Sequence, residues 1–205
     1  MVGYKALFIL LLVFFQATPK TQTILFFGDS LTAGYGLSTE EAFPALIEKQ
    51  LIKEGKKVKV VNAGLSGETS AGGLSRLDWI LKQPVEIFVL ELGANDGLRG
   101  LPLAQTRQNL QAIIDKVKKK YPQTKIVLAG MMVPPNMGKE YTTGFQKIFP
   151  ELARKNNTTL IPFILNGVAG DEKLNQADGI HPTAEGHKIV AGNIIKVIEP
   201  LLASH

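Results

Sequence analysis

The sequence predicts an α/β fold: a parallel sheet with helices on both faces. Three observations carry that expectation. Short β-rich apolar runs alternate with longer segments of helical periodicity from residue 23 to the C terminus. The run IFVL at 87–90 shows no polar alternation, which marks a strand buried on both faces. No repeat, low-complexity stretch or interdomain linker breaks the order, and such alternation winds into a single parallel sheet. A length of 205 residues fits one domain of this kind.

The elements follow in order. TILFF at 23–27 is the first strand, stopped by Gly28. Residues 42–54 place Phe43, Leu46, Ile47 and Leu51 at helical spacing. A second strand at 58–61 is closed by Asn62-Ala63-Gly64. Leu74, Leu77 and Leu81 form one stripe of a helix over 69–81. The third strand is 87–90. A long amphipathic helix over 103–120 carries Leu110, Ile113, Ile114 and Val117 on its inner face. Residues 126–129 form the fourth strand and 141–156 a helix. Leu160-Ile161 and Phe163-Ile164, on either side of Pro162, supply a short fifth strand with its exit, and 184–202 is the final helix.

Composition excludes several chemistries. Cysteine is absent, so disulfides, thiol nucleophiles and thiolate metal sites are ruled out. Only His181, His187 and His205 are available as imidazole ligands, which disfavours a histidine-built metal centre. The net charge of +5 comes largely from KEGKKVK at 53–59 and KVKKK at 116–120. Neither run interleaves aromatics or arginine, so they read as solvated helix ends rather than a nucleic-acid surface. Weak attraction to anionic membrane surfaces is compatible with them.

The N-terminal segment reads as an address. Lys5 precedes the unbroken apolar run ALFILLLVFF at 6–15. Ten helical residues span about 15 Å, half a bilayer core, so the run suits a secretory signal peptide better than a membrane span. Phe15 sits where a cleavage site after Ala17 would want a small residue, which leaves an uncleaved tether as the alternative. The expected organisation is a leader over 1–22 and a domain over 23–205, with export to the periplasm or beyond.

Four loops beyond strand ends carry reactive groups, and ligands of such sheets bind at that edge. GDSLTAGYG at 28–36 can present the Ser30 hydroxyl on a strand-to-helix turn, or use Asp29 or Ser30 only as a helix cap. It lacks the spacing of phosphate-binding loops. NAGLSGETS at 62–70 lets the backbone come close to a ligand, with the Gly67 N–H able to point inward, or is a turn before a capped helix. ELGANDGLRG at 91–100 offers the Asn95 amide to a developing oxyanion, though Asn-Asp-Gly is also an ordinary turn. In DGIHPT at 178–183, Asp178 can fold back to hold the His181 ring and leave its other nitrogen as a base; a solvated Asp and a helix-entry His are the alternative. His187 reads as a surface or packing residue. Together the loops hold one hydroxyl, one His–Asp pair and several amide donors on one edge, the inventory of acyl transfer by serine.

The blocks GDSL (28–31), Gly67, GAND (93–96) and DGIH (178–181) resemble, in this order, those of the SGNH (GDSL) hydrolases. A closer likeness, to the branch of bacterial acyl-CoA thioesterase I/protease I/lysophospholipases and arylesterases, rests on residues 91–100, on PNMG at 135–138 followed by Tyr141, and on FPEL at 149–152. The resemblance spans about residue 24 to the C terminus. It implies a flavodoxin-like, three-layer α/β/α sandwich on a five-stranded parallel sheet. It implies Ser30 as nucleophile, His181 as general base and acid, and Asp178 as its orienter. Ser30 N–H, Gly67 N–H and the Asn95 side chain would form the oxyanion hole.

The expected reaction is hydrolysis of small acyl or aryl esters, and of thioesters, with no cofactor and no metal. A histidine base must be neutral, so the rate should rise through roughly pH 6–7.5. MMVPPNMG at 131–138 can line an adaptable acyl groove through Met132, Pro134 and Met137, with Met131 and Met132 equally able to pack the core. Leu98, Leu101 and Leu103 would cover that groove, by resemblance to a mobile loop of the family. Two rivals stay open: a carbohydrate O-deacetylase using the same groups, and a tethered flavodoxin-like anion-binding module without catalysis. Nothing in the sequence fixes the oligomeric state.

Overall fold

The computed structural model of the chain describes residues 20–202. The apolar run at 6–15, most of the expected leader and His205 lie outside the described residues.

Five strands form one fully parallel sheet: β1 (Gln22–Gly28), β2 (Val58–Gly64), β3 (Ile87–Glu91), β4 (Lys125–Ala129) and β5 (Thr159–Ile161), in the spatial order β2-β1-β3-β4-β5. This is the flavodoxin-like order, in which the winding reverses between β1 and β3 and a crevice opens at their carboxyl ends. The central β3 is buried at every residue, as its unbroken apolar run demands.

Among the described residues, six α-helices lie between the strands and a seventh follows β5: α1 (Ser30–Ala33), α2 (Phe43–Lys53), α3 (Ser70–Ile80), α4 (Ala94–Leu98), α5 (Leu103–Lys120), α6 (Lys139–Asn156) and α7 (Ala184–Ile198). α2 packs on α7, while α3 packs on α5 and α5 on α6. The two groups flank the sheet and complete three layers. Phe26, Phe27, Phe43, Phe88, Phe145 and Phe149 are fully buried and fill the core. The lysine runs sit at helix ends: Lys118, Lys119 and Lys120 occupy the last turn of α5, where positive charge complements the helix dipole, and Lys53 ends α2.

Most bounds differ from the sequence expectation by a residue or two, and β2 continues through Asn62-Ala63-Gly64, expected to close it. β1 begins at Gln22, which pairs with Val58, one residue before the expected boundary. β5 stops at Ile161: Pro162 has no N–H for a ladder, and Ile164 N–H turns to the carbonyl of Gly130 instead. α7 ends at Ile198, and Glu199–Leu201 forms a 3-10 turn around Pro200. α4 was not expected, and α1 only as the helix that Asp29 or Ser30 would cap, since four or five residues are too few to show a helical period. Both sit at the site.

The edge of the sheet is sharply registered. Gly28, the last residue of β1, pairs with Gly64 of β2 and Glu91 of β3, so three loops rise from one level. A side chain at residue 28 is excluded, because a Cβ there would lie 2.1 Å from Thr32 Oγ1 and 2.4 Å from Glu91 Oε2.

Candidate active site

The first loop serves two ends at once. Asp29 caps α1, its Oδ1 accepting from Leu31 N–H at 3.1 Å. Ser30, the first residue of that helix, is then held at the crevice with its Oγ 2.9 Å from His181 Nε2. The cap and the presented hydroxyl are the same device.

His181 comes from the far end of the chain. Asp178 folds back as its spacing suggested: Oδ1 accepts from the N–H groups of Ile180 and His181, both at 3.0 Å, and Oδ2 lies 2.6 Å from His181 Nδ1. A carboxylate only accepts, so Nδ1 carries the ring proton and Nε2 is free to accept from the Ser30 hydroxyl. Burial pushes the Asp178 carboxyl up. The hydrogen bonds from the His181 N–H, the His181 ring and the Ile180 N–H outweigh it and hold the group at about 2. Asp178 is therefore a fixed negative charge. The Tyr35 ring lies against the imidazole, centroids 4.5 Å apart.

The Asn95 amide links the loop of Ser30 to the second loop, through Asp29 Oδ2 and Glu68 O. Ser30 N–H stands at the start of α1, where no earlier turn can accept from it, and neither it nor Gly67 N–H donates to a protein acceptor among the described residues. Gly67 has φ +78°, a left-handed conformation that favours glycine, and its carbonyl is held by Arg99 Nη2 at 2.8 Å. Asn95, on α4, donates from Nδ2 to Glu68 O at 3.0 Å and to Asp29 Oδ2 at 3.2 Å. The second bond is at the long end of the hydrogen-bond range, which suits a donor that an incoming oxyanion can share.

Several supporting residues gave no signal in the sequence. Glu68 is buried and paired with Arg76, whose Nε reaches both carboxylate oxygens at 2.6 and 2.8 Å. Arg76 also donates to the carbonyls of Gly28 and Ala63 and stacks over Phe27 at 4.3 Å, tying the second loop to the end of β1. Glu91 lies buried under the first loop; burial, then the neighbouring Asp29, pushes its carboxyl well above the usual range. Burial likewise raises Asp29, to about 6. Gln176 donates to the carbonyls of Tyr35 and Pro182. A lone Glu, Arg or Gln has no periodicity, and only the motif position of Asp29 and Glu91 hinted at them. His187 proves to be a packing residue: it is buried, stacks on Phe43, and its Nδ1 accepts the Phe43 N–H at 3.0 Å.

Ser30, Asn95 and His181 open into a cleft of about 490 Å³, walled by Leu98, Met131, Met132, Val133, Pro134, Phe163, Leu165 and Ile180 among others. Leu98, Met132 and Pro134 thus line it as the sequence suggested. Met131 is core as well as wall, 5% exposed, whereas Met132 is 41% exposed at the rim. Met137 does not line the cleft. It ends the 3-10 turn Pro135–Met137, where Gly138 reverses the chain, and its methyl faces Gly100 instead. Tyr141 Oη donates to Leu101 O at 2.8 Å and so anchors the segment after α4. No group of three or more His, Cys, Asp or Glu among the described residues could hold a metal ion, and no described helix is long and apolar enough to cross a membrane.

Comparison with known proteins gives a consistent picture. The profile of the GDSL-like Lipase/Acylhydrolase family matches residues 26–189. Esterase TesA of Pseudomonas aeruginosa is 41% identical over 194 residues, covering 94% of this chain and 96% of that protein. Thioesterase 1/protease 1/lysophospholipase L1 of Escherichia coli is 41% identical over 197 residues, covering 96% and 91%. The crystal structure of TesA superposes with a TM-score of 0.84 at 42% identity, covering 88% of this chain and 100% of that one.

Proposed function

Because the chain belongs to the GDSL-like lipase/acylhydrolase family and is a serine ester hydrolase, we propose that Ser30, His181 and Asp178 are its catalytic triad and that Ser30 N–H, Gly67 N–H and Asn95 Nδ2 are its oxyanion hole. The observation that carries this reading is the unbroken line Ser30 Oγ–His181 Nε2–His181 Nδ1–Asp178 Oδ2, at 2.9 and 2.6 Å, at the mouth of an apolar cleft.

The chemistry follows from that line. His181 Nε2 takes the Ser30 proton as Oγ attacks the acyl carbon. Asp178, ionised, holds the ring in the required tautomer and stabilises the imidazolium. The carbonyl oxygen becomes an oxyanion and draws on the three donors. Collapse of the intermediate expels the alcohol or thiol, which takes the proton from Nε2. Water, deprotonated by the same nitrogen, then attacks the acyl-enzyme and releases the acid.

The cleft supports acyl chains or aryl groups as the part of the substrate that is bound. Its walls are methionine, leucine, valine, isoleucine, phenylalanine and proline, which recognise apolar area and adapt to different shapes. That composition favours a permissive esterase over an enzyme for acetylated sugars, whose several hydroxyls would face mostly apolar walls there. The lysine-led apolar run at 6–15 supports export. A series of nitrophenyl esters from acetate to dodecanoate tests the substrate reading: kcat/KM should rise from acetate to medium chains. Activity confined to acetylated sugars would reverse it.

A further inference from the structure

Glu91 closes β3 with its side chain buried, and the reaction above makes no use of it. Its two oxygens are treated very differently. Oε2 accepts from Asp29 N–H at 3.2 Å and from Thr32 Oγ1 at 2.8 Å. Oε1 is equally buried and accepts from no donor among the described residues. A buried acceptor without a donor is uncommon in a folded protein, and the simplest repair is that the oxygen is itself a donor. The side chain beside it is Asp29, also fully buried. The Asp29 carboxyl accepts from Leu31 N–H through Oδ1 and from Asn95 Nδ2 through Oδ2.

Among the described residues, no cation is paired with either carboxyl. Arg76 of α3 reaches the Gly28 carbonyl next door, but its guanidinium is bonded to Glu68. His181 lies beyond Asp29 and is paired with Asp178. Asp96 of α4 is held by Ser70 and Thr106. Two ionised carboxylates would therefore lie side by side in the buried base of the site.

We propose that Glu91 is a positioning residue that carries a proton on Oε1 and donates it to the carboxylate of Asp29, so that the two acids share one proton directly beneath Ser30. Every atom is then satisfied. Oε1 gains a partner, Oε2 keeps its two donors, and Asp29 keeps one negative charge held by Leu31, Asn95 and Glu91. Burial raises both carboxyls; both Asp29 oxygens already accept, and the oxygen left without a partner belongs to Glu91, so Glu91 is the holder of the proton. Asp29 in turn fixes the amide of Asn95. The inference thus rests on the reading of Asn95 as an oxyanion donor: the shared proton keeps Asn95 aimed.

Three variants and one spectroscopic band test it. Glu91→Gln retains a neutral donor of the same shape, and Glu91→Leu is neutral without one. The infrared spectrum of the wild type at neutral pH should show a protonated carboxylic acid that is lost in Glu91→Gln and kept in Asn95→Ala. Glu91→Gln should hold kcat within about threefold, whereas Glu91→Leu should lose on the order of tenfold in kcat at unchanged KM, less than deletion of the donor itself. A wild-type spectrum without the band, a band untouched by Glu91→Gln, or a Glu91→Gln enzyme as slow as Glu91→Leu overturns the proposal. Should Glu91→Leu fail to fold, the wild-type and Glu91→Gln spectra decide alone. Normal kcat in Asn95→Ala with the band intact supports the shared proton and overturns the oxyanion reading instead.

Discussion

Gln176 donates an amide hydrogen to the carbonyl of Tyr35 at 2.7 Å, across 141 residues of sequence. The same amide reaches Pro182 O at 3.0 Å, and Gln176 N–H donates to His181 O at 2.7 Å. Tyr35 N–H in turn donates to Ser30 O at 3.0 Å. One side chain therefore fastens the loop of His181 to the loop of Ser30. That fastening spans the same two loops as the 2.9 Å contact between hydroxyl and imidazole.

Replacing Gln176 by Ala should let the two loops drift while leaving both reactive groups in place. Misplacement of about an ångström costs up to 10²-fold, so kcat should fall on the order of ten- to a hundredfold with KM little changed. Steady-state kinetics on a nitrophenyl ester checks this, and an unaltered kcat would show that the loops hold each other by other means.

Asn95→Ala should lower kcat by about 10²–10³, the usual cost of one oxyanion donor, with little effect on KM. A loss below about threefold in a folded variant would remove Asn95 from the hole. Ser30 N–H and Gly67 N–H would then have to stabilise the oxyanion by themselves.

Gly67 combines a backbone requirement with the proposed role of its N–H as an oxyanion donor. A Cβ would find room, its nearest neighbour being Arg99 Nη2 at 3.9 Å, but φ +78° is unfavourable for alanine. Gly67→Ala should cost roughly 1–2 kcal/mol of stability if the backbone holds. If the backbone relaxes instead, the N–H turns away and kcat falls while stability is spared. Thermal unfolding and kcat measured together distinguish these outcomes; no change in either would refute the strained donor.

His187 should make stability pH-dependent. Burial holds the imidazole at about 4, below its ordinary 6.5. Unfolded chain takes a proton near 6.5 and the folded protein resists it down to about 4, so the ring's contribution is complete above pH 6.5 and is lost as pH falls toward 4. The difference amounts to about 3 kcal/mol. Denaturant unfolding of wild type and His187→Gln across that interval should show the wild type losing stability relative to the variant. A constant gap would contradict the buried, neutral ring.

Much of this was legible in the sequence because the signals were local. Strands β1, β3 and β4 each contain an unbroken apolar run, and the long helix α5 keeps its period over five turns, so residues 103–120 were placed without error. Ser30, Asp178 and His181 stand in short motifs whose spacing already dictates a fold-back or a cap. What escaped was either too short for a period, as α1 and α4 are, or set by partners distant in the chain. Glu68 and Arg76, Glu91 and Asp29, and Gln176 and Tyr35 find each other only once the sheet is assembled. Met137 illustrates the converse. Its neighbours in the 131–138 segment line the cleft, yet the turn around Gly138 carries this methionine away.

The central claim is that Ser30 is a hydroxyl activated by His181, and a fluorophosphonate probe tests it most directly, because the probe bonds to such a hydroxyl and leaves an ordinary cap residue alone. Mass spectrometry of the labelled protein should place one adduct on Ser30, and labelling should be lost in Ser30→Ala and strongly slowed in His181→Ala. An adduct at another residue, or rapid labelling of Ser30 in the absence of His181, would contradict the account.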